Sequence, residues 1–279
     1  MDTQLDFLHL RRLGINTHQE PVVYMRQDCQ VAISEGFYAH SRVEVHCGEQ
    51  SVIATLVLVC SDLLSHEEAG LSEAAWHRLD CPADGVPARF HHARPVESMS
   101  FVRGKLYGQR FNDESAKAII EDIKAGHYSD IQLSAFVTAC AGDRLDLDET
   151  IAITRAMVGS GQRFDWSSDK VMDKHCVGGL PGNRTTPIVV AIVAANGLLM
   201  PKTSSRAITS PAGTADTMES MTTVAMSFGH MREVVEQEGG CLAWGGSVSL
   251  SPTDDIVIRV ERALDLDSEG QLVASVISK

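Results

Sequence analysis

The chain has 279 residues, 44% hydrophobic and 22% charged, with a formal net charge of −13. That balance is ordinary for a globular protein of one to three domains; its acidity argues against a broad nucleic-acid or anionic-membrane surface, although a local basic pocket survives inside an acidic chain. The polar start Met1-Asp2-Thr3-Gln4-Leu5-Asp6 is unlike a signal peptide, no apolar run approaches the roughly 18 residues of a membrane span, and seven cysteines without a CxxC pair suggest reduced thiols in a cytoplasm, with neither a disulfide framework nor a zinc site.

Residues 1–85 read as β-rich. Val43-Glu44-Val45-His46-Cys47 alternates, and Ser51-Val52-Ile53-Ala54-Thr55-Leu56-Val57-Leu58-Val59 is an almost continuous strand-forming run. Gly48-Glu49-Gln50 makes a turn between them, and residues 71–79 suit a short helix. The stretch 80–95, with Pro82, Gly85, Pro87 and Pro95, reads as a linker.

Three helices are expected within 96–165. Asn112 or Asp113 caps the first, which ends at Gly126 and carries Lys117 and Glu121 at i,i+4 spacing. Ser129-Asp130-Ile131-Gln132 opens the second, through Cys140 to a stop at Gly142; Asp146-Leu147-Asp148-Glu149 opens the third, stopped by Gly159. From residue 171 loops, helices and short apolar strands alternate, an α/β texture. Thr186 is expected as an N-cap before a first-turn Pro187, Thr214 as the cap of a helix with Met218, Met221 and Ala225 on one face, residues 231–238 as a helix and 241–244 as a strand. Ser268-Glu269-Gly270-Gln271 opens a last helix that runs to Lys279.

Two loops carry the chemistry. The first reads Asp173-Lys174-His175-Cys176-Val177-Gly178-Gly179-Leu180-Pro181-Gly182-Asn183-Arg184-Thr185-Thr186, the second Lys202-Thr203-Ser204-Ser205-Arg206-Ala207-Ile208-Thr209-Ser210-Pro211-Ala212-Gly213-Thr214. Glycines let backbone N–H groups approach an anion, and helix N-termini carry positive potential. The spacing excludes a Walker P-loop, which needs four residues between its glycines and then Lys-Ser/Thr, and no dinucleotide fingerprint is present. What remains is a generic anion loop, or a Gly/Pro turn with no ligand. His175 suits a ligand contact or an ordinary loop histidine; Cys176 a nucleophile or a packing group. His91-His92 lacks a third metal ligand at usual spacing. Asp265, Asp267 and Glu269 form either a solvated face or, through mutual repulsion, a proton donor.

Lys174-His175-Cys176-Val177-Gly178-Gly179, Asn183-Arg184-Thr185-Thr186 and the run from Thr203 to Glu219 closely resemble the thymidine phosphorylase/AMP phosphorylase family. The resemblance is strongest to the branch joining archaeal AMP phosphorylases with bacterial thymidine phosphorylase-like proteins, and it extends to Trp244-Gly245-Gly246, Asp254-Asp255 and Gly270-Gln271-Leu272-Val273-Ala274-Ser275. It implies a multidomain α/β protein: a β-rich N-terminal domain (1–85), a small all-α domain (96–165) and an incomplete α/β phosphate- and nucleotide-binding domain of the nucleoside phosphorylase/phosphoribosyltransferase type (166–279). The family continues well past residue 279, so C-terminal truncation and exposed core surface are expected.

By the same resemblance, inorganic phosphate is the co-substrate, no cofactor or metal is required, and the partners are a nucleoside or nucleoside monophosphate and a second copy in a cytoplasmic homodimer. Lys174, Thr185, Thr186, Ser204 and Thr214 fall on phosphate-binding positions. Gly179, the run Ser205, Arg206, Ala207, Ile208, Thr209 and Ser210, then Thr214 and Ser275, fall on nucleotide-binding positions. Asp267 falls on the proton donor of the AMP branch, and His175 lies where the thymidine enzymes place a histidine near the pyrimidine. The pyrimidine-reading Arg has no counterpart, since Arg259 and Arg262 are out of register; Arg206 with its neighbouring hydroxyls suits a second anion site for a 5′-phosphate. The alternatives are a non-catalytic phosphate- or nucleotide-binding fragment and, last, an anthranilate-type phosphoribosyltransferase, which would need a pyrophosphate loop and Mg²⁺ carboxylates.

Overall fold

The computed structural model describes residues 7–80, 83–175, 184–206, 212–266 and 268–279. They fall into two compact units, Met1–Glu97 with Gly126–Asp130, and Ser98–Ala125 with Ile131–Lys279.

The first unit is built on strands β1 (Leu8–Arg12), β2 (Val22–Arg26), β3 (Arg42–Cys47), β4 (Gln50–Val59), β5 (Glu68–Leu71) and β6 (Pro87–His92), with short helices α1 (Gln30–Ser34) and α2 (Glu73–Arg78). The strands close into a barrel in the order β1-β5-β2-β4-β3-β6, with β6 pairing back onto β1. Alternation along β3 turns Val43, Val45 and Cys47 inward, where they join Leu10, Met25, Leu56, Leu71 and Phe90. The predicted turn joins β3 to β4, with Cys47 paired to Gln50. The stretch read as a linker instead supplies β6. Pro87 is tolerated because it is the first residue of its strand. The predicted helix at Leu71 starts only at Glu73, because Leu71 belongs to β5 and Ser72 Oγ caps the helix by accepting from Ala75 N.

The second unit begins with α3 (Met99–Leu106), α4 (Asp113–Lys124), α5 (Asp130–Cys140) and α6 (Leu147–Ser160). Reciprocal capping boxes open α4 (Asn112 with Ser115) and α6 (Asp146 with Glu149). Lys117 and Glu121 form the expected i,i+4 pair at 3.7 Å. Gly159 does not stop α6; the helix continues to Ser160. The true break is at Gly161, where a Cβ would stand 1.7 Å from the Leu250 carbonyl oxygen, so only glycine permits that backbone approach.

The rest comprises α7 (Thr185–Ala195), β7 (Met200–Ser204), α8 (Thr214–Glu219), α9 (Phe228–Glu238), β8 (Gly240–Trp244), α10 (Gly245–Val248), α11 (Pro252–Leu264) and α12 (Glu269–Ser278). β7 and β8 are parallel, in register from Met200↔Gly240 to Ser204↔Trp244. Beneath β8, Met231 and Val235 of α9 pack with Cys241, Ala243, Val248 and Leu250. α11 packs on α4 and α6, and α12 on α6, so helices that follow the strands in sequence join the helical bundle in space.

Two expected boundaries shift. α7 begins at Thr185 with Arg184 as N-cap, so Thr186 is already helical, and Pro187 sits in the first turn, where its missing N–H has no intrahelical acceptor to lose. α8 has Gly213 as its N-cap, with the Asp216 carboxylate accepting from Gly213 N at 3.0 Å; it ends at Glu219, leaving Met221 and Ala225 outside. The last helix opens at Ser268 as expected, its Oγ accepting from Gln271 N, while Asp265 closes α11 in the left-handed region, φ 51°. Among the described residues no helix is long and apolar enough to cross a membrane. α7 is apolar around most of its circumference, yet Ile188 and Ile192 stand exposed.

Candidate anion and nucleoside site

The described ends of the first loop are held together by a side-chain bridge. Lys174 Nζ donates to Thr186 Oγ1 at 2.8 Å, and Thr186 is fully buried in the first turn of α7. The ammonium therefore stands by the N–H-bearing, positive end of a helix, a pairing that favours an anion. Thr185, next to it, is exposed.

The start of the second loop is a strand. Lys202, Thr203 and Ser204 lie on β7, with Lys202 and Thr203 buried. Lys202 Nζ lies 3.4 Å from the Asp173 carboxylate, so β7 reaches the same stretch that carries Lys174 and His175. His175 keeps a solvent-exposed edge, but desolvation by the surrounding protein lowers its imidazole pKa. Lys202, Lys279 and Lys174 add to the lowering and Asp173 opposes it. At neutral pH the ring is thus held uncharged, available as hydrogen-bond donor and acceptor.

Beyond β7, Ser204 Oγ donates to the Ser205 carbonyl at 3.2 Å, and Ser205 Oγ accepts from Lys279 Nζ at 2.7 Å. The same ammonium pairs with the buried Asp254 carboxylate of α11 at 2.5 Å. Burial raises the pKa of the adjacent Asp255; Lys279 moderates that rise and Asp254 adds to it. After β8, a Cβ on Gly246 would meet the Trp244 ring at 2.6 Å and the Asp255 carboxylate at 2.8 Å, so the Trp-Gly-Gly sequence is what lets the indole fold back over its own turn. Strand pairing sets Ser204 beside Trp244 at the carboxyl ends of parallel strands, where α/β sheets characteristically place ligands.

Arg206 is engaged by its own neighbours. Its guanidinium lies 4.8 Å from the Trp244 ring centroid, donates to both Glu219 carboxylate oxygens at 2.6 and 2.7 Å, and reaches Asp216 at 3.1 Å. Those carboxylates drive its pKa further up, and the guanidinium in turn pulls the Glu219 pKa down against the opposing charge of Asp216. A guanidinium matched this way anchors α8 through its ion pairs.

Of the other candidates, Thr214 is buried at the first position of α8. Ser275 is half-buried on α12, its carbonyl accepting from Ser278 Oγ. Gly179, Ala207, Ile208, Thr209, Ser210, Asp267 and Cys176 lie outside the described residues. On β6 the two adjacent histidines have different neighbours. His92 Nε2 contacts the Glu35 carbonyl and its ring packs on Phe37, while the His91 ring lies by that of His46. Among the described residues no group of three potential ligands is placed to hold a metal ion.

Sequence reasoning assigned no role to Asp173, Lys202, Lys279 or Asp254. The available signal was Lys202 itself: it shares a strand face with Met200 two residues earlier, and a lysine among inward-facing positions is rarely idle.

A helical bundle followed by an α/β layer with such loops defines a class. Residues 99–161 match the helical bundle domain of a glycosyl transferase family, and residues 168–268 match the a/b domain of the same family. The chain is 67% identical over 276 residues to a protein of Hahella chejuensis named "Putative thymidine phosphorylase", covering 99% of this chain and 54% of that one. A Polaromonas protein of the same name is 61% identical over 272 residues, covering 98% and 53%. Across these two stretches the chain belongs to that glycosyl transferase family, and it spans about half the length of the curated relatives it matches. Among solved structures, the anthranilate phosphoribosyltransferase of Thermus thermophilus overlaps with a TM-score of 0.49 at 20% identity, covering 63% of this chain and 54% of that one.

Proposed function

We propose that the chain carries the phosphate-binding half of a nucleoside phosphorylase, in which inorganic phosphate attacks C1′ of the sugar and the base leaves. The observation that supports this most directly is the Lys174–Thr186 bridge at the head of α7, with His175 and Lys202 beside it. In this reading Lys174, Thr185 and Thr186 hold the phosphate with Ser204 and Thr214. His175 and the Ser205–Ser210 run, with Gly179 and Ser275, face the nucleoside, and Asp267 protonates the departing base. Lys174 orients the nucleophile, and closure of the helical layer over the strands excludes water that would otherwise hydrolyse the sugar.

The engaged state of Arg206 favours an unphosphorylated nucleoside of the thymidine type, because a 5′-phosphate would first have to displace Glu219. Nucleoside monophosphates of the AMP type are the second reading, and a fragment that binds phosphate without turnover the third. A cytoplasmic homodimer with no cofactor fits the same reading. The test is phosphate-dependent base release from thymidine, uridine, CMP and AMP, together with calorimetric phosphate binding. Lys174→Ala should weaken phosphate binding by roughly 10- to 100-fold, the range for losing a charged hydrogen bond. Phosphate affinity unchanged in that variant would remove the basis of the assignment.

A further inference from the structure

Lys202 touches no ligand in the reading above, and its position is unusual. It lies on the Met200 face of β7, its side chain is 4% exposed, and an aliphatic side chain would suit the place. Burying an ammonium costs free energy unless the charge is used locally. Its Nζ reaches the carboxylate of Asp173, whose side chain is 61% exposed and which immediately precedes Lys174 and His175. A buried lysine that holds a mostly solvated aspartate contributes little as a stability device, since the carboxylate keeps most of its hydration. It does tether the Asp173 side chain to β7. With that point held from β7 and Lys174 held from α7 through Thr186, the segment is clamped on two sides.

We propose that Lys202 is a positioning residue, whose grip on Asp173 sets where Lys174 and His175 stand relative to the first turn of α7. This rests on the phosphate-site reading above only for its ligand readout; the clamp itself is a property of this chain. The charged groups acting on His175 are Lys202 from β7, Lys279 after α12, and Asp173 and Lys174 from its own segment.

Asp173→Asn in the full chain separates positioning from simple charge, because the two predict opposite signs. The variant removes a negative charge near the phosphate site, so Coulomb's law alone predicts tighter phosphate and a further fall in the His175 pKa. Loss of the clamp predicts the reverse. Phosphate should bind about ten-fold more weakly, a usual cost of losing the partner that orients a ligand-binding group, and a less crowded imidazole should titrate at higher pH. Inorganic phosphate is titrated by calorimetry, and His175 is followed by NMR from pH 5 to 8, a range chosen to bracket an ordinary histidine. Lys202→Arg should stay within about three-fold of the parent, roughly 0.6 kcal/mol, while Lys202→Met should resemble Asp173→Asn. Because Asp173 is exposed, its variant keeps the fold even if Lys202→Met does not. Tighter or unchanged phosphate, or a His175 midpoint that falls or stays in place, overturns the proposal. If the parent chain binds no phosphate, the phosphorylase reading fails and the His175 titration alone decides the clamp.

Discussion

The barrel and the α/β layer use burial in opposite ways. Among the described residues, the buried polar positions of the barrel unit before residue 90 are Ser41, Thr55 and Ser72, all hydroxyls, around an interior of Leu10, Met25, Leu56, Leu71 and Phe90. Between Thr186 and Ser278 the buried polar set includes Lys202, Asp254, Thr186, Thr203 and Thr214. A hydroxyl satisfies itself with one or two backbone groups, whereas a buried charge demands a partner and shifts the titration of its neighbours. The barrel is therefore arranged for stability, and the α/β layer gives up part of that stability to hold charge in place. Perturbed titratable groups gathered at strand ends mark a functional region on physical grounds.

The sharpest way to break this contrast is a core truncation in the barrel. Phe90→Ala should cost about 3–5 kcal/mol of unfolding free energy and leave phosphate affinity of the folded protein unchanged. Urea denaturation and calorimetry on the same preparation test both halves, and a phosphate defect would mean that the barrel and the site are not separable. A smaller effect is expected from pH. The pKa of His175 is lowered in the folded state below its ordinary value of 6.5, so below that pH the unfolded chain binds more protons than the native one, and stability falls as pH falls. His175→Gln should flatten that decline in Tm against pH below 6.5, with little change above it; parallel curves for the two proteins would show that the imidazole is not the group responsible. The smallest effect concerns Arg206. Glu219→Gln should change stability little, because the pair is partly exposed, while it leaves Asp216 as the carboxylate partner of the guanidinium. AMP should then gain affinity relative to thymidine in a competition assay. If the ratio does not move, the Arg206–Glu219 pair has no part in substrate choice.

Legibility in the sequence followed the range of the interactions. The helix starts at Asn112, Asp146 and Ser268 were readable because each cap bonds to a residue three positions on. The β3–β4 hairpin was readable because alternation and a turn sit side by side. β6 was missed because Pro87 and the flanking Pro82, Gly85 and Pro95 look like punctuation until the first strand supplies a partner edge for Pro87 and Ala88. The start of the second loop was misread because Met200-Pro201-Lys202-Thr203-Ser204 has no strand signature apart from its pairing with β8. The engagement of Arg206 was not readable because Glu219, thirteen residues away, gives no sign of facing it until α8 is in place.

The family came from the resemblance of its motifs to known proteins, while caps and local patterning were enough to define most helical segments and the two stretches rich in glycine and hydroxyls. These depend on residues within a few positions of one another, where chain geometry leaves few choices. Only the folded chain decided that β1 through β6 close in the order β1-β5-β2-β4-β3-β6, that Lys174 meets Thr186, that Lys202 reaches Asp173 and that Lys279 arrives at Ser205, 74 residues away. Such meetings are set by which surfaces must be buried together, a property of the whole chain and not of any stretch of it.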